Sequence, residues 1–234
     1  MKISRRDALK VAAAVPTLGA AKGPPPLPPI VTSGGVRLYP TWDPTTWWTS
    51  EPLSGWDLPQ AVSLGASLAP DGATAFQDIR NTPLHGPFTR AYFQFSTRPL
   101  NGAQSLDGVF SAAFHAIEWH KRIDAVLAIQ IVVHRPDTTV RGVALPLMAD
   151  ALEFAVGDPP RSRAAQNWAL APVACQDGDV IAINVGIAAN NQSNTLAQTV
   201  GFSVYASEAA DISRLDDPQL ANSWMEFSAP LIFY

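Results

Sequence analysis

The chain has 234 residues, of which 47% are hydrophobic and only 15% charged, and its net charge is −4. That is ample material for a large core, and it lacks the basic footprint that phosphate backbones require, so a nucleic-acid partner is excluded as an expectation. Charge well below the ~25% usual for soluble domains suits a protein held in an assembly or at a surface. A single cysteine, Cys175, rules out an internal disulfide and reads as a small buried hydrophobe.

In chain order, the first element is Met1-Lys2-Ile3-Ser4-Arg5-Arg6-Asp7-Ala8-Leu9-Lys10, followed by a weakly apolar run to Ala21. A basic region, a short apolar region and small residues at Gly19-Ala20-Ala21 give the layout of a secretory signal. Ser4-Arg5-Arg6-Asp7-Ala8-Leu9-Lys10 resembles the bacterial twin-arginine export signal, with Ala8 where that signal carries a larger apolar residue. The resemblance implies an exported protein: periplasmic, cell-surface or extracellular. The alternative is a short amphipathic helix that caps the domain or docks on a partner. The run is far shorter than the ~20 apolar residues of a transmembrane helix, so no stable membrane span is expected.

Gly23-Pro24-Pro25-Pro26-Leu27-Pro28-Pro29 is a stiff extended segment. The expected organisation is therefore a leader over 1–22, a proline-rich linker or arm over 23–35, and one domain over 36–234. The domain opens on an aromatic stretch. Trp42, Trp47, Trp48 and Trp56 crowd together with Asp43 and Asp57 among Pro, Thr and Ser, without clean alternation. An ordered loop is expected there. Its rings either contact a ligand or partner or close one end of the fold.

Beyond this loop the apolar period is two, the period of a sheet with one buried face. Ala91, Phe93 and Phe95 alternate with Tyr92 and Gln94, and Ala125, Leu127, Ile129, Ile131 and Val133 share one face. Leu152, Phe154 and Val156 follow the same rule, as do Ile181, Ile183, Val185 and Ile187, then Val200, Phe202 and Val204, then Met225 and Phe227. Residues 161–170 suit either a helical turn or a strand. Asn101-Gly102, Asp107-Gly108 and Asp177-Gly178-Asp179 punctuate the strands as turns. The expected fold is all-β: an antiparallel β-sandwich of jelly-roll type, because the strands are many and their connections often long.

The run Gln176-Asp177-Gly178-Asp179-Val180-Ile181-Ala182-Ile183-Asn184-Val185-Gly186 sets a tight acidic turn before a buried strand and a glycine. A polar loop (Asn190 to Thr195), Gly201-Phe202, Asp216-Asp217-Pro218 and Trp224-Met225-Glu226-Phe227-Ser228 follow. Upstream lie Ala91-Tyr92-Phe93-Gln94-Phe95-Ser96 and Leu106-Asp107-Gly108. This order resembles the jelly-roll modules of tailed-phage structural proteins and of secreted bacterial surface proteins. The resemblance implies a virion-like or surface component, a trimerising or decorating domain, or a glycan binder.

Candidate chemistry is sparse. His115, Glu118 and His120 are close in sequence, but in a strand an odd separation sends the two imidazoles to opposite faces. Asp177 and Asp179, with Asp216 or Asp217, offer oxygen ligands of the kind calcium takes, though a turn is the simpler purpose. No Gly-X-Ser-X-Gly occurs to activate a serine. Glu118, Glu153 and Glu226 are the carboxylates to compare for glycoside cleavage. The expected function is thus a non-catalytic, exported structural or surface-assembly protein that forms a homo-oligomer or binds a partner through its aromatic loop and sheet faces. A carbohydrate-binding module, with Trp42, Trp47, Trp48 and Trp56 as platform and Asp43 and Asp57 on sugar hydroxyls, is the alternative, and a secreted carbohydrate-active enzyme the third.

Overall fold

The computed structural model describes residues 35–42, 55–83, 85–154, 156–157, 160–193, 195–208, 210–213 and 220–234. The leader, most of the proline-rich arm and the heart of the aromatic stretch lie outside these residues. Thirteen strands run through the described part, with no helix among them: β1 (Val36–Thr41), β2 (Val62–Ser67), β3 (Ala75–Asn81), β4 (Gly86–Thr97), β5 (Gln104–Leu106), β6 (Val109–Glu118), β7 (Ile123–His134), β8 (Val140–Glu153), β9 (Arg161–Ala169), β10 (Val173–Cys175), β11 (Val180–Asn191), β12 (Thr199–Tyr205) and β13 (Trp224–Phe227).

Eleven of the strands form one large mixed sheet, and β5 with β10 forms a small second one. The large sheet has two halves. In one, β6 is flanked by β9 on one edge and by β12 and then β13 on the other, with β3 outside β12. In the other half the order is β2-β4-β11-β7-β8. β1 joins them: Val36 to Leu38 pair with β13, and Tyr39 to Thr41 pair with β2.

The halves face each other, which makes the fold sandwich-like. Phe93 and Phe95 of β4 meet Phe202 of β12 and Phe114 of β6, with ring centroids 5.8 and 5.9 Å apart. The periodic residues fill this layer: Leu127, Ile129, Ile131 and Val133 of β7, Ile181, Ile183, Val185 and Ile187 of β11, and Met225 and Phe227 of β13 are all buried in one core. Such alternation is what a face turned to the core demands.

Three expectations need correction. The sheet is not antiparallel throughout, because β2 runs parallel to β4. Ala91 does not share a face with Phe93: a bulge shifts the β4–β11 register there, so Tyr92 joins the core and Ala91 turns to the opposite face. The stretch around Leu152 is not an inward-facing strand either, since Phe154 is buried but Leu152 and Val156 are 42% and 52% exposed. Residues 161–169 resolve as strand β9, with Asn167 at φ 55°. Asparagine tolerates that left-handed conformation, which accompanies the register shift against β6.

Candidate functional site

Trp42 stands just beyond β1, and its position is set by its main chain. Its N–H donates to Thr74 Oγ1 at 3.0 Å and more weakly to Asp71 Oδ2 at 3.4 Å. Asp71 is the hub of this corner, accepting from the N–H groups of Ala73 (2.9 Å) and Thr74 (2.7 Å), from Thr41 Oγ1 (3.1 Å) and from the Thr74 hydroxyl. Burial alone would raise its pKa, but these donors outweigh it and hold the carboxyl below its ordinary value. The Trp42 ring stacks on Phe76 at 6.3 Å and 12°, and Phe76 meets Phe93 edge-on at 5.8 Å. With one side supported and 63% of the residue exposed, Trp42 presents an aromatic surface to solvent.

Trp56 is placed differently. It is 6% exposed, packs with Ala91 and Ala128, and its Nε1–H donates to Gln130 Oε1 at 3.1 Å. Its ring is packing material, with no free face for a sugar. Asp57 accepts from the Thr89 N–H (2.8 Å) and hydroxyl (2.9 Å), fastening the segment to β4. Asp43, Trp47 and Trp48 lie outside the described residues.

The ring of Trp56 closes over Gly186 on β11. A Cβ at Gly186 would run into the Arg90 carbonyl oxygen and lie 2.8 Å from Trp56 Cζ3 and 2.9 Å from Ala91 Cα. Two of those obstacles are backbone, so the bulge itself would have to move. Gly186→Ala is expected to destabilise by about 2–3 kcal/mol, read from denaturant midpoints. A change under about 0.5 kcal/mol, the range of an unconstrained surface site, would refute this close packing.

A polar ladder crosses the same face. Asn184 of β11 is in register with Gln94 of β4 and Gln130 of β7. Gln94 Nε2 donates to Asn184 Oδ1 at 3.0 Å, and Asn184 Nδ2 donates to Gln130 Oε1 at 3.1 Å, the oxygen that Trp56 also uses. All three amides are nearly inaccessible. Sequence reading did not single them out. The signal was present as amides at outward positions of three apolar strands, but their register is a tertiary fact.

Glu118 ends β6 and is fully buried. The Ala125 N–H donates to its Oε1 at 2.5 Å, and among the described residues its Oε2 has no hydrogen-bond partner. Desolvation pushes its pKa up to about 8, opposed by the Ala125 donor, raised further by Glu153 and Asp124 and lowered by Arg163. His115, also fully buried, has its Nε2 3.3 Å from the Ala221 carbonyl oxygen and packs edge-on against Tyr205. His120 lies past the strand end, where its Nδ1 accepts the Arg122 N–H. Glu226 pairs with Arg37 at 2.6 Å. The three glutamates thus do not gather at a cleft: Glu118 is sealed, and Glu226 is held in an ion pair on another strand.

The acidic turn is structural in its contacts. Asp177 Oδ1 accepts from Tyr234 Oη (2.7 Å) and the Gly102 N–H (2.8 Å), which lower its pKa. Asp179 is buried, accepts the Gln176 N–H and is ion-paired with Arg141. A cation there would compete with the guanidinium. Asp216 and Asp217 lie outside the described residues. Among the described residues no group of three or more His, Cys, Asp or Glu side chains is arranged to hold a metal, and no helix is long and apolar enough to cross a membrane. Cys175 is buried, and desolvation raises its thiol pKa, which keeps it in the unreactive protonated form.

No protein-family model matches the chain, and no curated protein matches it. Solved structures give loose likenesses. A structure of infectious bursal disease virus Gt strain is 9% identical with a TM-score of 0.29, covering 92% of this chain and 59% of that one. The Gx strain of the same virus gives 7% identity and a TM-score of 0.24, with coverages of 92% and 59%. A CocE/NonD family hydrolase from Staphylococcus aureus gives 9% and 0.29, covering 85% of this chain and 35% of the hydrolase. The chain spans less than two thirds of each of these neighbours.

Proposed function

We propose that this protein is an exported, non-catalytic structural component whose jelly-roll sandwich self-associates through the side chains of β8. The observation that carries the proposal is the apolar character of that outer strand. Val140, Val143, Met148 and Leu152 are 43%, 44%, 41% and 42% exposed. β8 has 14 residues, so it runs for roughly 45 Å at ~3.3 Å per residue, long enough to support an interface of ordinary size. It pairs with β7 on one edge and closes the path of strands in its half. Repeated register shifts and Pro146, which has no N–H, blunt that edge against strand addition. Contact between side chains is therefore favoured over continuation of the sheet.

Strand order supports the jelly-roll reading. If β3, β4, β6, β7, β8, β9, β11 and β12 are counted one to eight in chain order, one half reads 1-8-3-6 and the other 2-7-4-5. That interleaving is the one that two nested Greek keys of a jelly roll would give. Counted so, β13 prolongs the line of β12 along β6, and β1 prolongs that of β3.

Sedimentation velocity on the full chain tests the assembly role. The expected result is a homo-oligomer that Val143→Lys with Met148→Lys dissociates while circular dichroism stays unchanged. A monomer at all concentrations would refute self-association. Export is tested by intact mass of protein from its source, where loss of the first ~21 residues is expected. A second reading, glycan binding, draws on the supported and exposed ring of Trp42. It expects glycan-dependent quenching of tryptophan fluorescence that Trp42→Ala removes.

A further inference from the structure

β1 passes from one half of the sheet to the other within its own length. Leu38 is the last residue of β1 paired with β13, and Tyr39 the first paired with β2. Beside this switch lies a cavity of about 240 Å³. Leu38, Ala66 and Phe233, all nearly inaccessible, form its apolar floor, and half-buried Leu68 forms a wall. Exposed Arg98, just beyond β4, lies at its mouth. Arg98 Nη1 lies 3.5 Å from the main-chain oxygen of Tyr234, the last residue, a long contact. The cavity therefore joins an apolar interior to a guanidinium at its mouth.

We infer that this cavity binds a small apolar monocarboxylate, its hydrocarbon tail against Leu38, Ala66, Leu68 and Phe233 and its carboxylate on Arg98. Volume sets the size. At ~30 Å³ per water-sized group, the cavity holds about eight non-hydrogen atoms, the number in hexanoate. Charge sets the head group: a guanidinium binds a carboxylate through paired N–H donors and gains much less from a neutral hydroxyl. The apolar floor selects against acetate, which has no tail to bury. None of these residues lies on β8, so the site stands apart from the proposed self-association surface.

The test is a titration of the ¹⁵N-labelled full chain with sodium hexanoate, 1-hexanol and sodium acetate, following the amides of Leu68 and Ala69. Hexanoate is expected to shift these amides saturably and to bind more tightly than either control. Arg98→Gln, an exposed change that leaves the core intact, is expected to weaken hexanoate by about 10–100-fold, the worth of a charged hydrogen bond, and to leave 1-hexanol unchanged. Leu68→Trp, which fills the cavity, is expected to remove binding of both. The inference is overturned if hexanoate shifts fail to saturate or fall elsewhere, if hexanol binds as well as hexanoate, or if Arg98→Gln binds like the wild type. These readouts do not depend on oligomeric state, so failure here and failure of the assembly reading are separable.

Discussion

Glu118→Gln is expected to remove a loss of stability that the native protein suffers between pH 4.5 and 8. In the folded chain burial holds this carboxyl protonated up to about pH 8, against an ordinary value of 4.5. Across that window the unfolded chain is ionised at Glu118 and the folded chain is not. The folded state then binds more protons than the unfolded one, and stability falls as pH rises, levelling off above pH 8. A shift of this size corresponds to at most about 5 kcal/mol, at 1.36 kcal/mol per unit. Glutamine keeps an oxygen to accept the Ala125 N–H and cannot ionise. Relative to wild type, the variant should be near neutral at pH 4.5 and more stable by about 3–5 kcal/mol at pH 8.5. The charges around the group are Glu153, Asp124 and Arg163, and all remain in the variant. Asp71, whose pKa is lowered, contributes on the acid side of the window and does not confuse the result. Urea denaturation at the two pH values measures it. Equal pH dependence in both proteins would mean that Glu118 is ionised in the fold.

Phe202→Ala is expected to cost about 3–5 kcal/mol, the range for deleting a buried phenyl ring. Phe202 is fully buried, and its ring lies 5.5–6.2 Å from those of Tyr92, Phe93, Phe114 and Phe154. Those rings come from β4, β6 and the residue just past β8, so the loss falls where the two halves of the sheet meet. Their backbones are fixed by sheet hydrogen bonds and cannot collapse into the void. Phe202→Leu, which keeps most of the volume, should cost less than half as much. Chemical denaturation of both variants provides the measure. A cost under about 1 kcal/mol for alanine would show that the halves do not depend on this ring cluster.

The proportion of this fold legible in the sequence follows from the geometry of a strand. Side chains alternate, so a strand with one buried face writes its period into the chain. Ile181, Ile183, Val185 and Ile187 could be assigned to the interior from spacing alone, and they lie in the core. Buried Cys175 was legible as a lone cysteine, a residue type that behaves as a small hydrophobe. Turn residues were legible for a similar reason: Gly102 and Gly178 sit at φ 80° and 81°, where glycine alone carries no steric penalty.

Alternation fails as a guide wherever the backbone departs from regular pairing. The extra residue at Tyr92 sends Ala91 to the far face, and nothing in Ala-Tyr-Phe announces a bulge. Leu152 reads as inward by pattern, yet β8 has an irregular register against β7 and leaves Leu152 exposed. The tryptophans show the same limit. Trp42 and Trp56 look alike in sequence, but one is held out on Phe76 and the other is drawn over Gly186. A ring near the surface is buried or exposed according to what packs beside it, and those partners are distant in the chain.

By itself, then, the sequence determined an all-β chain with a substantial core, its strand periods, its turns and its net negative charge. Those are local or summed properties, fixed by residue type and spacing. Only the tertiary structure decided the strand order, the parallel β2–β4 pair, the sealed carboxyl of Glu118, the apolar outer strand and the cavity under Arg98. Each depends on register and proximity between segments far apart in sequence, and pairing energy of that kind is not written in any single segment.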